Sequence, residues 1–266
     1  MKLKPAFKYQ LSDIKRPVAV FYLVIICLLI LFFALSYTPV TIITSDSGGE
    51  ISTSYSNQGS RISGMEFATV IFLFVAGLNS FKEFFRLFMQ NGLSRRTMFV
   101  SRMITILSVC TFMAIIDKII LLVGKMIGAY QNKFTYAGLF EMIYGIRAGR
   151  VSDLHMQADG FFFNLFIYLA AMAFGYFITV AYYRMNKPVK IAVSIGIPMS
   201  LLYGLPILDS TVTHGAISSA IGSAVSFAFG FRNNANPYFG MVTLLMVFVV
   251  FGALTWLMIK RAVVRD

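Results

Sequence analysis

The chain has 266 residues, 58% of them hydrophobic and 13% charged, with a formal net charge of +12. A soluble domain carries about 25% charged residues, so this composition excludes one and indicates an all-α integral membrane protein with a single membrane domain over 1–266. The surplus of Lys and Arg needs no nucleic acid, because inward-retained basic loops and anionic lipid account for it.

Residues 1–17 read as an interfacial helix. Phe7, Leu11 and Ile14 fall at i, i+4 and i+7, with Lys2, Lys4, Lys8, Lys15 and Arg16 around them, the pattern of a helix lying in the headgroup plane. A spanning helix needs about 20 mostly apolar residues, and six stretches qualify: 18–36, 62–81, 98–123, 161–183, 191–208 and 238–259. The first run is too long for the core of a signal peptide and reads as a retained anchor. Glu66 and Lys82 bracket the second, and Arg102 and Asp117 lie near the ends of the third, where long side chains snorkel to the headgroups.

The 37–61 segment, with Ser47-Gly48-Gly49 and Asn57-Gln58-Gly59, is an outer loop of turn chemistry. A second outer loop, 124–160, holds Tyr130, Phe134, Tyr136, Phe140 and Tyr144, aromatics suited to the membrane interface. Continuation of the third helix past Lys125 is left open. Pro198 and Pro206 kink or break the fifth span. In the 209–237 segment, 216–229 is apolar, too short to span and rich in small residues (Ser218, Ser219, Ala220, Gly222, Ser223, Ser226), so a re-entrant helix is expected before the sixth span. Placing the termini and the second and fourth loops inside gives that side 16 of the 23 Lys/Arg and 3 of the 11 acids, +13 against −1 outside. The chain therefore reads as a multi-pass protein of the cell (cytoplasmic) membrane with both termini cytoplasmic.

Catalytic chemistry finds no foothold. Gly124-Lys125 lacks the upstream Gly and following Ser/Thr of a phosphate-binding loop. His155 and His214 fall in outer loops without partners, and Cys27 and Cys110 read as buried free thiols with no metal spacing. No catalytic residue, cofactor or metal is expected on this chain. Asp117 is the one acid within a span, about 22 Å along the helix from Arg102 at 1.5 Å per residue. Interfacial solvation beside Lys118 and a gating or substrate contact are both open for it.

The most organised polar stretch is 81–102. Phe81, Phe84, Phe85 and Phe88 form an apolar stripe at i, i+3, i+4 and i+7, with Lys82, Glu83 and Arg86 elsewhere on the helix. Gly92 can close that helix in the left-handed conformation, and Ser94 can cap the next. Arg95 and Arg96 then stand at a helix N-terminus, where the dipole disfavours cations. Selection by acidic groups on a partner, by lipid phosphate, or for membrane orientation would explain them.

Residues 88–97, Phe-Met-Gln-Asn-Gly-Leu-Ser-Arg-Arg-Thr, together with the six-span layout, make the chain resemble the membrane subunits of ABC type-2 exporters, particularly the short permeases of Gram-positive bacteria. The resemblance implies a permease working as a dimer with a second copy or a paralogue. Each permease would bind a separate ATPase subunit that carries the ATP and Mg. It implies that Lys82, Phe84, Phe85, Arg86, Phe88, Gln90, Asn91, Gly92, Ser94, Arg95 and Arg96 form the region coupled to the ATPase. The cargo along an apolar path would be hydrophobic or amphiphilic: a peptide, an antibiotic or a lipid-like molecule. A stand-alone immunity or sensor protein and a proton-coupled secondary transporter are the competing expectations.

Overall fold

Ten helices and four short strands make up the described part of the computed structural model, which covers residues 3–35, 41–45, 51–55, 60–131, 134–148, 153–231 and 236–260. Helix α1 runs unbroken from Leu3–Leu35 and passes through Pro17. It buries Ala6, Gln10, Ile14, Val18, Tyr22 and Ile25, a stripe at mostly four-residue spacing, largely against α4 (Arg95–Gln131). Two side-chain bonds between these helices, Thr105 to Gln10 and Tyr22 to Asp117, share a sequence separation of 95. The two helices therefore run parallel and in register. This corrects the expected interfacial helix over 1–17. Residues 3–17 are the first half of α1, continuous with the apolar half and held along α4 by their own apolar face.

Strands β1 (Thr41–Ser45) and β2 (Ile51–Tyr55) pair antiparallel, and β3 (Ser60–Ser63) pairs in parallel with β4 (Phe134–Ala137). The second pair ties the two expected outer loops together. The second expected span is a broken one: α2 (Glu66–Leu78) ends at Asn79, and α3 (Lys82–Gln90) continues at 42° to it. Thirteen residues of helix cover only about 20 Å, too little to cross alone. Helix α4 extends well past Lys125, so part of the expected second outer loop is helical; α5 (Leu139–Ala148) is helical too. Helix α6 (Asp153–Arg184) begins eight residues earlier than the expected span and takes His155 into its first turn.

Helix α6 is the central element, packed most extensively on α10 (Pro237–Lys260) and α2. The core lies in layers along the bundle. Phe81, Phe85, Phe88, Met98, Tyr176, Val180 and Ile259 close the end that carries α3. Leu73, Ile106, Cys110, Met113, Tyr168 and Met172 fill the middle, and Tyr144, Phe163 and Leu244 fill the opposite end. Cys110 is buried as expected, whereas Cys27 is exposed on α1, where lipid would cover it.

The fifth span is interrupted, as its prolines require. Helix α7 (Lys187–Met199) passes through a π-helical turn, Ser200–Gly204, into α8 (Leu205–Thr211). Helix α9 (Ala216–Ala228) follows as a short apolar helix. Asp209 makes this turn: its carboxylate accepts the N–H groups of Ile217 at 2.9 Å and Ser218 at 3.1 Å and the Thr213 hydroxyl at 2.7 Å, while Gly215 takes φ +90°. It satisfies the free donors of α9 from a residue seven positions upstream of the helix. Asp209→Ala should therefore speed hydrogen exchange at the amides of Ile217 and Ser218 with little change in α10, read by exchange mass spectrometry. None of α7, α8 and α9 buries a residue. Among the described residues five helical stretches are long and apolar enough to cross a membrane, and a sixth if the bent α2–α3 pair counts as one span. The chain is an all-α multi-pass membrane protein in its architecture.

Candidate functional site

Two polar regions stand out against this apolar frame. The first is the corner made by α3, the turn after it and the start of α4. Helix α3 carries the expected phenylalanine stripe, and its end is closed by paired bonds from Leu93 N–H to the Phe88 carbonyl at 3.0 Å and from Gly92 N–H to the Met89 carbonyl at 3.1 Å. Gly92 sits at φ +67°, the left-handed conformation that this cap needs. The Asn91 amide adds a bond to the Leu87 carbonyl at 2.7 Å, and Ser94 Oγ accepts the Thr97 N–H at 3.2 Å to cap α4. These bonds close the end of α3 onto the start of α4.

Its aromatic face points inward. Phe85 and Phe88 are buried among Met98, Tyr176, Val180 and Ile259, and Phe84 is half-buried against Tyr9. An amphipathic stripe shows that a helix packs, and here the chain itself supplies the packing surface for Phe85 and Phe88. Arg95 is also spoken for. Its Nη1 donates to the Lys260 carbonyl at 2.7 Å, and a cation at the C-terminus of α10 is favoured by that helix's dipole. This gives the guanidinium an internal partner. Lys82 opens α3, and Glu83, Arg86, Gln90, Asn91, Gly92, Ser94 and Arg96 remain exposed. These exposed residues make a continuous polar surface of mixed charge.

The second region is the set of carboxylates buried between α1, α2, α4 and α6. Asp117 is 8% exposed and accepts hydroxyl bonds from Tyr22 at 2.9 Å, from Tyr168 and from Thr69. Interfacial solvation of Asp117 is thereby overturned, because protein hydroxyls take the place of water. One turn before Thr69, Glu66 is buried as well and accepts the Leu139 N–H at 3.1 Å, which tethers α2 to the start of α5. Gly138 makes room for it: a Cβ there would meet Glu66 Oε1 at 2.9 Å and Leu121 at 2.7 Å. Just beyond, Glu141 accepts the Gly138 N–H at 3.3 Å, three residues back at the α5 cap, and pairs with Lys125. Lys118 is half-buried near these groups.

Around this region two phenols outside the spans are pushed up by burial. Tyr136 rises well above its usual range, and Tyr144 rises to about 12. Tyr144 is therefore a neutral donor at any physiological pH, and its hydroxyl holds the Phe229 carbonyl at 2.8 Å. His214 sits in the turn before α9 at φ +48° and gathers no catalytic partners. Among the described residues no group of three or more His, Cys, Asp or Glu is placed to hold a metal ion.

Sequence reasoning missed the role of Glu66, which reads as a mere boundary charge, and the tyrosines that hold Asp117. The available signal was weak: Tyr22 is the only tyrosine inside the first apolar run. Beside these sites, Ile26, Ile30, Phe33, Ile120 and Ile127 line an apolar groove of about 360 Å³ between α1 and α4. No family model, no curated protein and no solved structure matches this chain.

Proposed function

We propose that this chain is the membrane-spanning permease subunit of an ATP-driven exporter, with the α3 corner as the surface on which a separate ATPase subunit docks. The observation that carries the reading is the two-faced build of α3. Its polar face is exposed through Glu83, Arg86 and Gln90, while Phe81, Phe85 and Phe88 are seated in the ends of α4, α6 and α10. A displacement of α3 by a partner would be passed directly to three long helices, since packed aromatics transmit strain rather than absorb it. ATP on the partner would drive the cycle by binding the two arrangements of the bundle unequally. The termini and the corner would face the cytoplasm of the cell membrane, where the basic residues collect.

The unburied faces of α7, α8 and α9 suit a second copy or a paralogue of the permease, and the apolar groove between α1 and α4 suits a hydrophobic or amphiphilic cargo. Purification of the tagged chain in mild detergent should bring down an ATPase in equal amount. Arg86→Glu with Arg96→Glu should remove it while leaving a monodisperse permease. An ATPase that stays bound to the double variant would defeat the docking surface; its absence from the wild type would defeat the exporter reading.

The buried Glu66 and Asp117 favour a second reading, a proton-coupled secondary transporter, because ionisable residues inside a membrane bundle mark proton and substrate paths. In that case transport would follow the proton gradient and stop with Asp117→Asn, without any ATPase.

A further inference from the structure

Arg102 is expected to snorkel outward from α4, yet the structure buries it. It is 2% exposed, and its guanidinium lies 5.4 Å from the Tyr176 ring and 5.9 Å from the Phe84 ring. Both rings lie within cation–π distance, a contact that compensates only part of the lost hydration. Nε and Nη2 have no hydrogen-bond partner. These two N–H groups are parallel and lie on one edge of the guanidinium, the fork that engages two oxygens of a single oxyanion. Buried donors in folded proteins are nearly always paired, so this fork asks for a ligand.

Space for one is present. A cavity of about 150 Å³ lies between α1 and the α2–α3 elbow, and Gln10, Asp13, Asn79, Ser80 and Arg102 contribute its polar wall. The Gln10 carbonyl oxygen is engaged by Thr105 at 3.1 Å, which leaves its amide N–H groups to offer. The Ser80 hydroxyl is committed to the Gly77 carbonyl at 2.8 Å. Asp13 is the one acid on this wall; it is exposed, and among the described residues no ion pair joins it to Arg102. Arg102 lies seven residues into α4, about 10 Å from the basic corner at 1.5 Å per residue, and α1 brings the exposed Lys8, Lys15 and Arg16 alongside. A cluster of cations near one membrane face attracts anionic headgroups.

We propose that the cavity between α1, α2 and α4 is a phosphate-binding site in which the Arg102 fork holds two phosphate oxygens, with Gln10 and Asn79 available for a third. A tetrahedral oxyanion offers an oxygen beyond the two that the fork engages, and Gln10 and Asn79 on the same wall carry amide donors for it. The phosphate can belong to the headgroup of an anionic lipid in the adjacent leaflet or to a soluble phosphate. Either would close an otherwise open joint between the α1–α4 pair and the α2–α3 elbow. The site does not depend on which transport cycle the protein runs.

The test uses the full chain, delipidated in detergent, and titrates three probes: dioleoylphosphatidylglycerol, dioleoylphosphatidylcholine and inorganic phosphate. Bound lipid is counted by native mass spectrometry and stability is followed by thermal melting. Phosphatidylglycerol should bind and raise Tm more than phosphatidylcholine. Arg102→Gln should weaken that binding roughly tenfold or more, as expected for a lost charge-assisted fork. Arg102→Lys keeps the charge without the fork and should also bind more weakly; if Arg102→Gln fails to fold, the lysine variant carries the comparison. Arg184→Gln, at the exposed end of α6, should bind as the wild type does. Displacement of the lipid by inorganic phosphate, with its own Arg102-dependent rise in Tm, would support the site and name soluble phosphate as its source. No displacement would name the lipid. The proposal is overturned if neither phosphatidylglycerol nor phosphate shows binding that depends on Arg102. It is equally overturned if Asp13→Asn destabilises the lipid-free protein as much as Arg102→Gln does, since Asp13 would then be the missing partner.

Discussion

Gly175→Leu and Gly77→Leu should each abolish recovery of a monodisperse protein. Helices α2 and α6 touch backbone to backbone at this crossing: a Cβ at Gly77 would approach the Met172 carbonyl and the Tyr176 nitrogen, and one at Gly175 would approach the Phe74 carbonyl, each first contact closer than 3.0 Å. Main-chain atoms cannot rotate away as a side-chain tip can, so the helices themselves must separate. Small residues at such a contact are what allow helices to approach closely in lipid. Overpacking a core typically costs about 1–3 kcal/mol, and forcing apart the backbones of a central pair belongs at or above the top of that range. Because α6 also carries α10, the loss should spread through the bundle rather than stay local. Even alanine is expected to lower the melting temperature clearly at either position. Gly196→Ala and Gly222→Ala are the controls: nothing lies within 4 Å of a Cβ at those places, so both should melt like the wild type or slightly above it. Size-exclusion profiles and thermal melts in one detergent decide the matter, and a Gly175→Leu variant that melts with the wild type would remove the crossing from the account of stability.

That crossing shows where the sequence stops being informative. Gly77 and Gly175 sit in apolar runs without any local mark; their importance comes from a partner 98 residues away, which no periodicity reveals. The α3 corner is the opposite case. Phenylalanines at helical spacing, Asn91-Gly92 and Ser94 are local signals, and the structure places α3, its left-handed end and the next cap on those residues. What the stripe cannot tell is which surface it meets, and here the chain itself covers Phe85 and Phe88. Arg95 is a similar case: its dipole conflict is local to α4, while the carbonyl that takes its N–H belongs to α10. In α1 the basic residues suggested a helix in the headgroup plane, but Ala6, Gln10 and Ile14 continue the stripe of Val18 and Tyr22 and keep the helix whole. Charges near the ends of spans read as boundary markers until a fold shows which are enclosed; Glu66, Arg102 and Asp117 all are.

Asp117→Leu should destabilise the protein by about 1–3 kcal/mol, the cost of leaving a buried donor unpaired, and the loss should be partly reversible by a second substitution. The hydroxyls around Asp117 do not depend on it equally. Tyr22 also reaches the Met113 carbonyl at 3.1 Å, so it keeps an acceptor when the carboxylate is removed. Tyr168 is fully buried, and its hydroxyl is directed at Asp117. Tyr168→Phe should therefore rescue Asp117→Leu more than Tyr22→Phe does, because removing both partners of a buried bond is nearly neutral whereas removing one is not. The coupling measured by the double-mutant cycle isolates that bond from the change in side-chain volume. Asp117→Asn keeps an oxygen acceptor in place and should lose much less stability than Asp117→Leu. This difference separates structure from function. If Asp117→Asn melts near the wild type yet stops gradient-driven transport in proteoliposomes, the buried carboxylate works as an ionisable group and the proton-coupled reading prevails. If it transports normally with its ATPase partner, Asp117 is an anchor that fixes α1 and α6 to α4, and the working surface lies at the α3 corner. Equal melting of Asp117→Leu and the wild type would show that the three hydroxyls find other acceptors and that the cluster does not hold these helices together.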